Sequence, residues 1–256
     1  MKIIRYLYKN KISYGVIEGE YVAPIKDSPW LNNTGDYSGM IPVNDVSILA
    51  PCVPRKIVSV ALNYPGITGV ESKDNEPLIF IKPSTSVIGP KDVIINPFKG
   101  TKVWGECELA VVIGKVLKNA EDKEVRAAIY GYPIGNDVSS ENIGGRDHHL
   151  ARSKAADTFC VLGPWIDTEF SPNKQIIRGY HNSSLLREGK VNDRMWQEEK
   201  IIKWLSTWIT LEPGDVILTG APSRTRDREY LKNGDNFTCV IEGLGELKNS
   251  FKENYG

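Results

Sequence analysis

The sequence predicts a mainly β protein with a few short helices, an α+β fold. Short apolar runs recur between turn residues along most of the chain, which is typical of strands. Only two segments show the periodicity of a helix. With 256 residues and 41% hydrophobic side chains, the chain is long and apolar enough to bury one sizeable core.

The first fifty residues predict a small β region followed by a linker. Residues 2–8 and 12–18 are β-prone and flank a Lys-Asn-Lys turn, which indicates a hairpin. Residues 26–45 are polar, contain glycine and proline, and have no period, so we expect a linker there. We therefore divide the chain into residues 1–50, a small N-terminal β region with its linker, and residues 51–256, the main domain.

From residue 55 onward, short apolar runs predict the strands of the main domain. They are IVSVAL at 57–62, LIFI at 78–81, VII at 93–95, LAVVI at 109–113, VIL at 216–218 and FTCVI at 237–241. A turn sequence containing glycine precedes each of the last two runs.

Two helices are expected, at about residues 121–129 and about residues 198–209. The second segment places five apolar residues on one stripe, the pattern of a helix packed on a core. These residues are Ile201, Ile202, Leu205, Trp208 and Ile209.

Composition argues against several classes of function. Lysine plus arginine and aspartate plus glutamate each total 32, and this zero net charge gives no field that would attract nucleic acid or an anionic membrane. The N-terminus lacks a signal-peptide core and no apolar run reaches 18 residues, which predicts a cytoplasmic protein without a membrane partner. The four cysteines lack the paired spacing of zinc or redox sites, so we expect free, buried thiols. The sequence contains no phosphate-binding loop and no zinc-protease or serine-hydrolase motif.

Two glutamates enter one of the predicted strands. Glu106 and Glu108 are two residues apart, so on a strand they share a face. Like charges on a surface that leads into the core repel each other unless a cation joins them, and oxygen ligands suit magnesium, manganese or calcium. Asp137, which ends another strand-like run, would supply a third ligand. A solvated strand edge is the alternative interpretation of the glutamate pair, and their spacing alone does not decide between the two.

Other residues are candidates of the same kind. Lys154 would pair with a substrate carboxylate, although a lone lysine is more often solvated. His148 and His149 lie in a polar stretch and would titrate near neutral pH, or else belong to a surface loop. Thr219 and Gly220 follow a buried run and would present a hydroxyl and a backbone amide at a strand end, unless they form an ordinary turn.

Eight segments, in order along residues 55–249, resemble the fumarylacetoacetate hydrolase family. They are LNY at 62–64, EPLIFIKP at 76–83, GECELAVVIG at 105–114, GNDVS at 135–139, KAADTF at 154–159, LGPW at 162–165, LEPGDVILTG at 211–220 and IEGLG at 241–245. Any one of them could arise by chance, but eight in sequence make the resemblance specific.

The resemblance implies a fold and a metal site. The fold is a mixed β-roll catalytic domain, usually a homodimer, with a small N-terminal region in some members. The two glutamates of the E-x-E motif and a downstream aspartate chelate a divalent cation in the family, and these positions are Glu106, Glu108 and Asp137. We expect Mg²⁺ or Mn²⁺, with Ca²⁺ as a third option.

The resemblance also implies residues that bind the substrate, a small 2-oxo acid. The lysine of the K-x-x-D-T-F stretch, Lys154, contacts the substrate carboxylate in the family and is expected to be the catalytic residue. Thr219 and Gly220 correspond to residues that contact the 2-oxo acid end. Asn63 and Tyr64, in the LNY segment, are expected to bind the substrate as well.

The sequence departs from the family pattern at two places. Ile67 and Val70 occupy the positions of a histidine and a glutamate that activate water in the hydrolases. Glu71 lies one residue beyond the expected glutamate and has no histidine partner, so it does not restore the pair. Glu141 stands where the family usually has an arginine, four residues after the metal aspartate.

These two departures determine which reaction we expect first. A metal alone stabilises the enolate of a 2-oxo acid, whereas hydrolysis of an acylpyruvate also needs an activated water. We therefore expect a decarboxylase or a tautomerase/isomerase ahead of a C–C hydrolase. Hydrolysis stays open if His148 or His149 acts as the base. A third hypothesis is a catalytically degraded homologue that binds a metal or a carboxylate.

Overall fold

The structure, a computed structural model, describes residues 1–31, 34–66 and 76–254. Most of its regular structure is β, in several sheets, which confirms the predicted fold class. In chain order the strands are β1 Lys2–Tyr8, β2 Lys11–Glu18, β3 Tyr21–Ile25, β4 Ile41–Pro42, β5 Ser47–Leu49, β6 Lys56–Val60, β7 Ile79–Pro83, β8 Val87–Ile88, β9 Val93–Asn96, β10 Val103–Trp104, β11 Cys107–Ile113, β12 Ile129–Asp137, β13 Ser139–Ser140, β14 Cys160–Asp167, β15 Ile176–His181, β16 Ser184–Lys190, β17 Val216–Leu218, β18 Asn236–Ile241 and β19 Gly245–Glu253. The α-helices of the described residues are α1 Asp122–Ala128, α2 Ala151–Lys154 and α3 Glu198–Trp208.

Most of the strands form one large sheet. Its order is β4-β3-β2-β1-β14-β12-β11-β17-β6-β7, with β5 paired to β1 and β8 paired to β14. A second sheet has the order β16-β15-β18-β19-β9, and β10 pairs with β13. Most neighbours are antiparallel, but β8 with β14, β6 with β17 and β9 with β19 are parallel, so both larger sheets are mixed.

The predicted N-terminal hairpin is confirmed. β1 and β2 pair antiparallel with Ile3 opposite Val16, and the tip residues Lys9 and Asn10 have the left-handed backbone of a tight turn. β1 pairs on its other side with β14, so the large sheet continues from the first fifty residues into the rest of the chain. One hydrophobic cluster spans the same junction, since Ile3 and Val16 belong to it together with Ile57.

The segment predicted as a linker, residues 26–45, contains more regular structure than expected. Ile41–Pro42 forms β4, which pairs with β3. Asp36 caps a short 3-10 turn by accepting the Ser38 N–H at 3.0 Å. The paired strand is only two residues long, and so short a pairing leaves no alternation that would mark a strand in the sequence.

The six apolar runs of the main domain correspond to β6, β7, β9, β11, β17 and β18, with ends that differ by at most two residues. Several other strands were missed, among them β14, β15, β16 and β19. Polar residues or glycine interrupt these segments, so their alternation between the two faces is weak. Pairing with neighbouring strands, rather than local pattern, defines them.

The pairing of β11 with β12 positions the candidate site. β11 lies inside the large sheet between β12 and β17, and all of its residues are buried. Because the two strands are antiparallel with Cys107 opposite Asn136, the start of β11 and the end of β12 meet at one edge. Asp137, the last residue of β12, therefore lies beside Glu106 and Glu108.

Both predicted helices are confirmed, and each is slightly shorter than expected, as α1 and α3. The apolar stripe of α3 packs on the core as predicted, except that Trp208 is 50% exposed and contacts the Trp204 ring edge-on. α2 was not predicted, because four residues are too few to show a helical period.

Two further sequence expectations concern the cysteines and membrane contact. All four cysteines are free and buried, which confirms the prediction of unpaired thiols. In the described part of the chain, none of the helices is both long enough and apolar enough to span a lipid bilayer.

Candidate active site

Three carboxylates converge where β11 begins and β12 ends. One oxygen each of Glu106, Glu108 and Asp137 lies within 4.8 Å of the other two. Glu108 is only 2% exposed, whereas the alternative of a solvated strand edge would leave it in water. Carboxylate oxygens grouped in this way are the donor set that hard divalent cations such as Mg²⁺, Mn²⁺ and Ca²⁺ prefer.

Burial and the neighbouring charges shift the pKa values of the two glutamates in opposite directions. Burial raises the pKa of Glu108 well above its ordinary value of 4.5, and the carboxylates of Asp137 and Glu106 raise it further. Burial acts on Glu106 in the same sense, but Lys154 and Arg187 outweigh it and hold the pKa of Glu106 at about 2. A divalent cation would relieve the repulsion at Glu108, so the electrostatics as well as the donor atoms fit a metal.

Lys154, the last residue of α2, lies between two of the carboxylates. Its Nζ donates to Asp137 Oδ2 at 2.6 Å and to Glu106 Oε2 at 2.9 Å, and it lies 4.9 Å from the centre of the Phe80 ring. Burial alone would lower the pKa of Lys154, but the two carboxylates outweigh that effect and raise it. The ammonium group therefore stays protonated at neutral pH and acts as a fixed positive charge rather than a base.

A second lysine, which the sequence analysis did not identify, also pairs with Asp137. Lys82 in β7 is fully buried, and its Nζ lies 2.7 Å from Asp137 Oδ1. It also donates to the carbonyl oxygens of Phe159, at 2.9 Å, and of Lys154. The sequence did contain a signal, because Lys82 follows Phe80 by two residues and so shares its buried strand face.

Arg187 in β16 is the other site residue that the sequence analysis missed. Its Nη2 donates to Glu106 Oε1 and its Nη1 to the Pro222 carbonyl oxygen, both at 2.6 Å. Glu141, at the position where the family usually has arginine, instead accepts the backbone N–H of Lys102. A guanidinium thus reaches Glu106 from a different strand, and nothing in the local sequence of β16 marks it.

Thr219 and Gly220 follow β17 and lie against β11. The Thr219 hydroxyl donates to the Leu109 carbonyl oxygen at 2.7 Å, and the Gly220 N–H donates to Glu108 Oε2 at 2.6 Å. Gly220 has φ +92°, and a Cβ added there would lie 2.8 Å from the Asn63 Cβ, so the position requires glycine. Both groups hold the framework around Glu108, and their contact with a substrate stays a prediction.

Asn63 and Tyr64 are buried next to this framework, and neither lines the cavity described below. The Asn63 amide donates to the carbonyl oxygens of Thr219 and Trp196, each at 2.8 Å, and its Oδ1 accepts the Trp196 N–H at 2.7 Å. The Tyr64 hydroxyl is buried and has no hydrogen-bond partner among the described residues. Their predicted roles in substrate binding rest on the family resemblance alone.

A cavity of about 620 Å³ contains the carboxylates, a size typical of small-molecule sites. Its charged side chains include those of Glu106, Glu108, Asp137, Lys154 and Arg187. Its apolar part includes Val60, Ala61, Leu62, Leu78, Phe80 and Leu150. The remainder is mostly the loop at residues 223–228, which carries three arginines.

The candidate bases for hydrolysis do not lie in this cavity as described. His148 and His149 are exposed and outside its lining. Three positions that bear on the hydrolase pattern lie outside the described residues, namely Ile67, Val70 and Glu71. Among the described residues, the lining therefore combines acidic, cationic and apolar side chains without a histidine.

Two family models match the chain: "Fumarylacetoacetate (FAA) hydrolase C-terminal" over residues 56–252 and "Rv2993c-like, N-terminal" over residues 1–51. The oxaloacetate tautomerase Fahd2a, mitochondrial, of Rattus norvegicus is 35% identical over 82% of this chain and 71% of its own length.

Solved structures of similar proteins cover nearly the whole chain. The 5-carboxymethyl-2-hydroxymuconate delta-isomerase of Mycobacterium smegmatis is 32% identical, with a TM-score of 0.90 over 99% of this chain and 100% of that chain. The maleylpyruvate hydrolase of Sphingobium sp. SYK-6, in complex with manganese(II) ion and pyruvate, is 25% identical, with a TM-score of 0.78 over the same shares. Together with the family model, which spans most of the main domain, these matches confirm the resemblance found in the eight sequence segments. The chain belongs to the fumarylacetoacetate hydrolase family.

Proposed function

We propose that this protein is a divalent-metal-dependent enzyme that acts on a small 2-oxo carboxylic acid as a tautomerase, an isomerase or a decarboxylase. The observation that carries the proposal is the cluster of Glu106, Glu108 and Asp137 in a cavity of substrate size. These residues would hold Mg²⁺ or Mn²⁺. When bound, the cation would supply Lewis-acid stabilisation of the negative charge that develops on the substrate.

The charges of the chain suit an anionic substrate once a metal is present. Lys82, Lys154 and Arg187 offset the three carboxylates, so the fully ionised cluster is close to neutral. A divalent cation adds two positive charges. This excess complements a 2-oxo acid whose carboxylate and developing enolate oxygen carry two negative charges.

In this proposal, Lys154 binds the carboxylate of the substrate. Its ammonium group stays protonated, and hydrogen bonds between an ammonium group and a carboxylate are among the stronger ones in proteins. The side chain is 12% exposed and belongs to the cavity lining, so its head group is accessible from the cavity. Lys154 would orient the substrate rather than remove a proton from it.

The apolar part of the lining favours enolate chemistry over hydrolysis. Val60, Leu62 and Phe80 would exclude water beside the carboxylates, and hydrolysis needs a base that activates water. The described lining contains no histidine to serve as that base. Two relatives support this ranking, since one is named an oxaloacetate tautomerase and the other an isomerase.

Hydrolysis of a C–C bond in an acylpyruvate is the second candidate. It is kept because one solved relative is named a maleylpyruvate hydrolase and was crystallised with manganese and pyruvate. His148 or His149 would supply its base, and both are exposed and outside the described lining of the cavity.

Assays on metal-stripped and metal-reloaded protein test the proposal. The decay of enol absorbance in oxaloacetate reports tautomerisation, pyruvate release reports decarboxylation, and loss of acetylpyruvate reports hydrolysis. We expect one of the first two activities to require Mg²⁺ or Mn²⁺, to disappear in Glu106→Gln and to persist in Glu246→Gln, which alters an exposed carboxylate on β19. Faster cleavage of acetylpyruvate would favour the second candidate. Metal binding without any turnover would indicate a binding protein instead.

A further inference from the structure

We propose that His181 is a positioning residue that holds one wall of the cavity through Glu229, and that it does so while its imidazole is protonated. The wall is the cavity loop, defined as residues 223–230, of which residues 223–228 line the cavity. His181 itself lies outside the described lining. The pairing of His181 with Glu229, the tether, does not depend on the proposed function, whereas its effect on ligand binding rests on that function.

His181, the last residue of β15, is 7% exposed and lies between two carboxylates. Its Nε2 lies 2.7 Å from Asp235 Oδ2, and its Nδ1 lies 3.2 Å from Glu229 Oε2. Asp235 directly precedes β18, and Glu229 belongs to the cavity loop, so the imidazole joins the second sheet to the loop. The residues paired with His181 on β16 and β18, Ser184 and Phe237, carry no charge.

Asp235 fixes the orientation of the imidazole. Its Oδ1 accepts the side-chain N–H of Asn182 at 3.0 Å, and its Oδ2 accepts the backbone N–H of Lys232 at 2.8 Å. Burial raises the pKa of Asp235, but the hydrogen bonds from Asn182 and His181 outweigh that effect and lower the pKa. Asp235 is therefore ionised at neutral pH and accepts a proton from Nε2 in either charge state of His181. This arrangement leaves Nδ1 directed at Glu229.

The proton on Nδ1 decides whether His181 attracts Glu229. In a neutral imidazole only one nitrogen carries a proton. Because Nε2 uses that proton to donate to Asp235, Nδ1 then presents a lone pair to the Glu229 carboxylate, which is repulsive. In an imidazolium both nitrogens carry protons, so His181 attracts both carboxylates. Nδ1 is buried and has no aligned hydrogen-bond partner among the described residues, so its contact with Glu229 is mainly electrostatic.

The second half of the cavity loop has few backbone anchors. The Thr225 N–H donates to the Leu186 carbonyl oxygen at 2.9 Å, and the Leu231 N–H donates to the Val103 carbonyl oxygen at 2.8 Å. Between these two anchors, residues 226–230 make no backbone–backbone hydrogen bond within the described parts of the chain. A segment with so few hydrogen bonds depends on its side chains to keep one conformation.

The side chains of this segment make two ring contacts and one salt bridge. Arg228 lies 4.0 Å from the centre of the Trp104 ring, and the Tyr230 ring packs edge-on against the same ring at 6.2 Å between centres. Among the described residues, the pair of Glu229 with His181 is the one salt bridge that residues 226–230 make. The tether is therefore the charged contact that holds this part of the wall to the second sheet.

The direction of the pH effect follows from the charge on His181. Histidine side chains change charge between about pH 5 and about pH 8. At the acidic end of this range the imidazolium holds Glu229, and as the pH rises the attraction is lost and residues 226–230 gain freedom to move. Because Arg226, Asp227 and Arg228 line the cavity, a fixed loop would shield a bound ligand from water. The cavity wall should therefore be more ordered at mildly acidic pH.

Electron paramagnetic resonance of a nitroxide label in the cavity loop tests the tether without metal or ligand. Asp227→Cys places an exposed thiol in the loop, and the four native cysteines are buried, so the label attaches selectively. We expect the ratio of immobilised to mobile label to fall about fivefold between about pH 5 and about pH 8, the range of a partly exposed ion pair. A ratio that stays constant over this range would overturn the inference.

Variants in the labelled protein assign the pH response to the tether. His181→Gln and Glu229→Gln should each leave the label mobile throughout, because neither variant can form the ion pair. The Glu229 side chain is 42% exposed, so Glu229→Gln keeps the test valid if His181→Gln disturbs the packing of β15. The double variant His148→Gln with His149→Gln removes the other two histidines, both exposed, and should respond as the wild type does. An undiminished response in Glu229→Gln would overturn the inference.

Oxalate binding to the Mn²⁺-loaded protein tests whether the tether affects a ligand in the cavity. Calorimetry compares the wild type with Glu229→Gln at the same pH, so that the protonation of other groups affects both proteins equally. We expect the variant to bind oxalate about threefold more weakly at about pH 6 and within about twofold of the wild type at about pH 8. Equal Kd values at both pH values would overturn the effect on the ligand. If oxalate bound neither protein, the proposed function would fail, and the label response would still decide whether the tether holds the loop.

Discussion

Arg187 Nη2 lies 2.6 Å from Glu106 Oε1, and this ion pair joins the two larger sheets at the candidate site. Arg187 belongs to β16 of the second sheet, whereas Glu106 directly precedes β11 of the large sheet. Their side chains are 8% and 18% exposed, so salt screens the pair only weakly. The same contact therefore orients a candidate metal ligand and holds the sheets together.

Arg187→Gln should lower the free energy of unfolding by about 3 kcal/mol, because it leaves Glu106 as a largely buried charge without this partner. Glu106, with its pKa at about 2, stabilises the fold above pH 4.5, and that stabilisation is lost as the pH falls through about 2. In the variant this acid-induced loss should begin at higher pH. Urea denaturation at several pH values measures both effects.

Arg178→Gln is the matched control for that variant. Arg178 pairs with Glu188 and Glu242 at the surface, and exposed pairs of this kind contribute less than about 1 kcal/mol. Equal destabilisation by the two substitutions would show that the pair of Arg187 with Glu106 has no special importance for the fold.

Glu108→Gln should stabilise the metal-free protein at neutral pH and strongly weaken metal binding. Because the folded-state pKa of Glu108 is raised, the folded protein holds this proton more tightly than the unfolded chain. The contribution of Glu108 is therefore favourable at low pH and declines as the pH rises from 4.5 through the raised value. Glutamine cannot ionise, so the variant should lack this decline. Metal affinity should fall by more than the roughly 100-fold that loss of an outer-shell partner costs.

Denaturation curves from about pH 5 to pH 8, together with a metal titration, check this prediction. Glu246→Gln serves as an exposed carboxylate control. If the free energy of unfolding declined equally with rising pH in the wild type and in Glu108→Gln, the carboxylates of Asp137 and Glu106 would not be repelling Glu108 as described.

Lys154→Met should weaken the binding of oxalate, a 2-oxo acid analogue, by about tenfold at saturating metal, because one charge-assisted hydrogen bond is lost. The same variant should bind the metal at least as tightly as wild type, since the ammonium group between Glu106 and Asp137 opposes a second cation. Calorimetry measures the two affinities separately. An unchanged Kd for oxalate would remove Lys154 from the substrate site, and a loss of metal affinity would assign it a supporting role instead.

Restoring the hydrolase pair, as Ile67→His with Val70→Glu, should raise the rate of acetylpyruvate cleavage. The wild-type protein should tautomerise or decarboxylate oxaloacetate faster than it cleaves acetylpyruvate, because isoleucine and valine cannot take a proton from water. Both reactions are assayed in both proteins at equal metal saturation. Rapid cleavage of acetylpyruvate by the wild type would contradict this view, and His148→Gln and His149→Gln would then identify the base.

Local sequence pattern predicts those parts of the fold and site that depend on nearby residues. The spacing of Glu106 and Glu108 puts both on one strand face, and the apolar run after them predicts the buried part of β11. The hairpin of β1 and β2 follows from two β-prone runs around a short turn. In each case the signal lies within about ten residues, the range over which strand and turn preferences act.

The remaining features depend on contacts between distant segments. Arg187 is 81 residues from Glu106 along the chain, and no periodicity connects them. The loop at residues 223–228 is an ordinary polar stretch in the sequence, and only the fold shows that it lines the cavity. Lys82 is an intermediate case. The sequence shows which face of β7 it shares, but not that it pairs with Asp137.

The continuity between the first fifty residues and the rest of the chain limits how the protein can be divided. Ile3 and Val16 supply part of a hydrophobic cluster whose other part, including Ile57, belongs to the main domain. A truncated protein that begins near residue 51 would expose that apolar surface and uncover part of the edge of β14. Unpaired strand edges beside apolar surface promote aggregation. Because the N-terminal segment covers this apolar surface, we expect expression of residues 51–256 alone to yield insoluble protein.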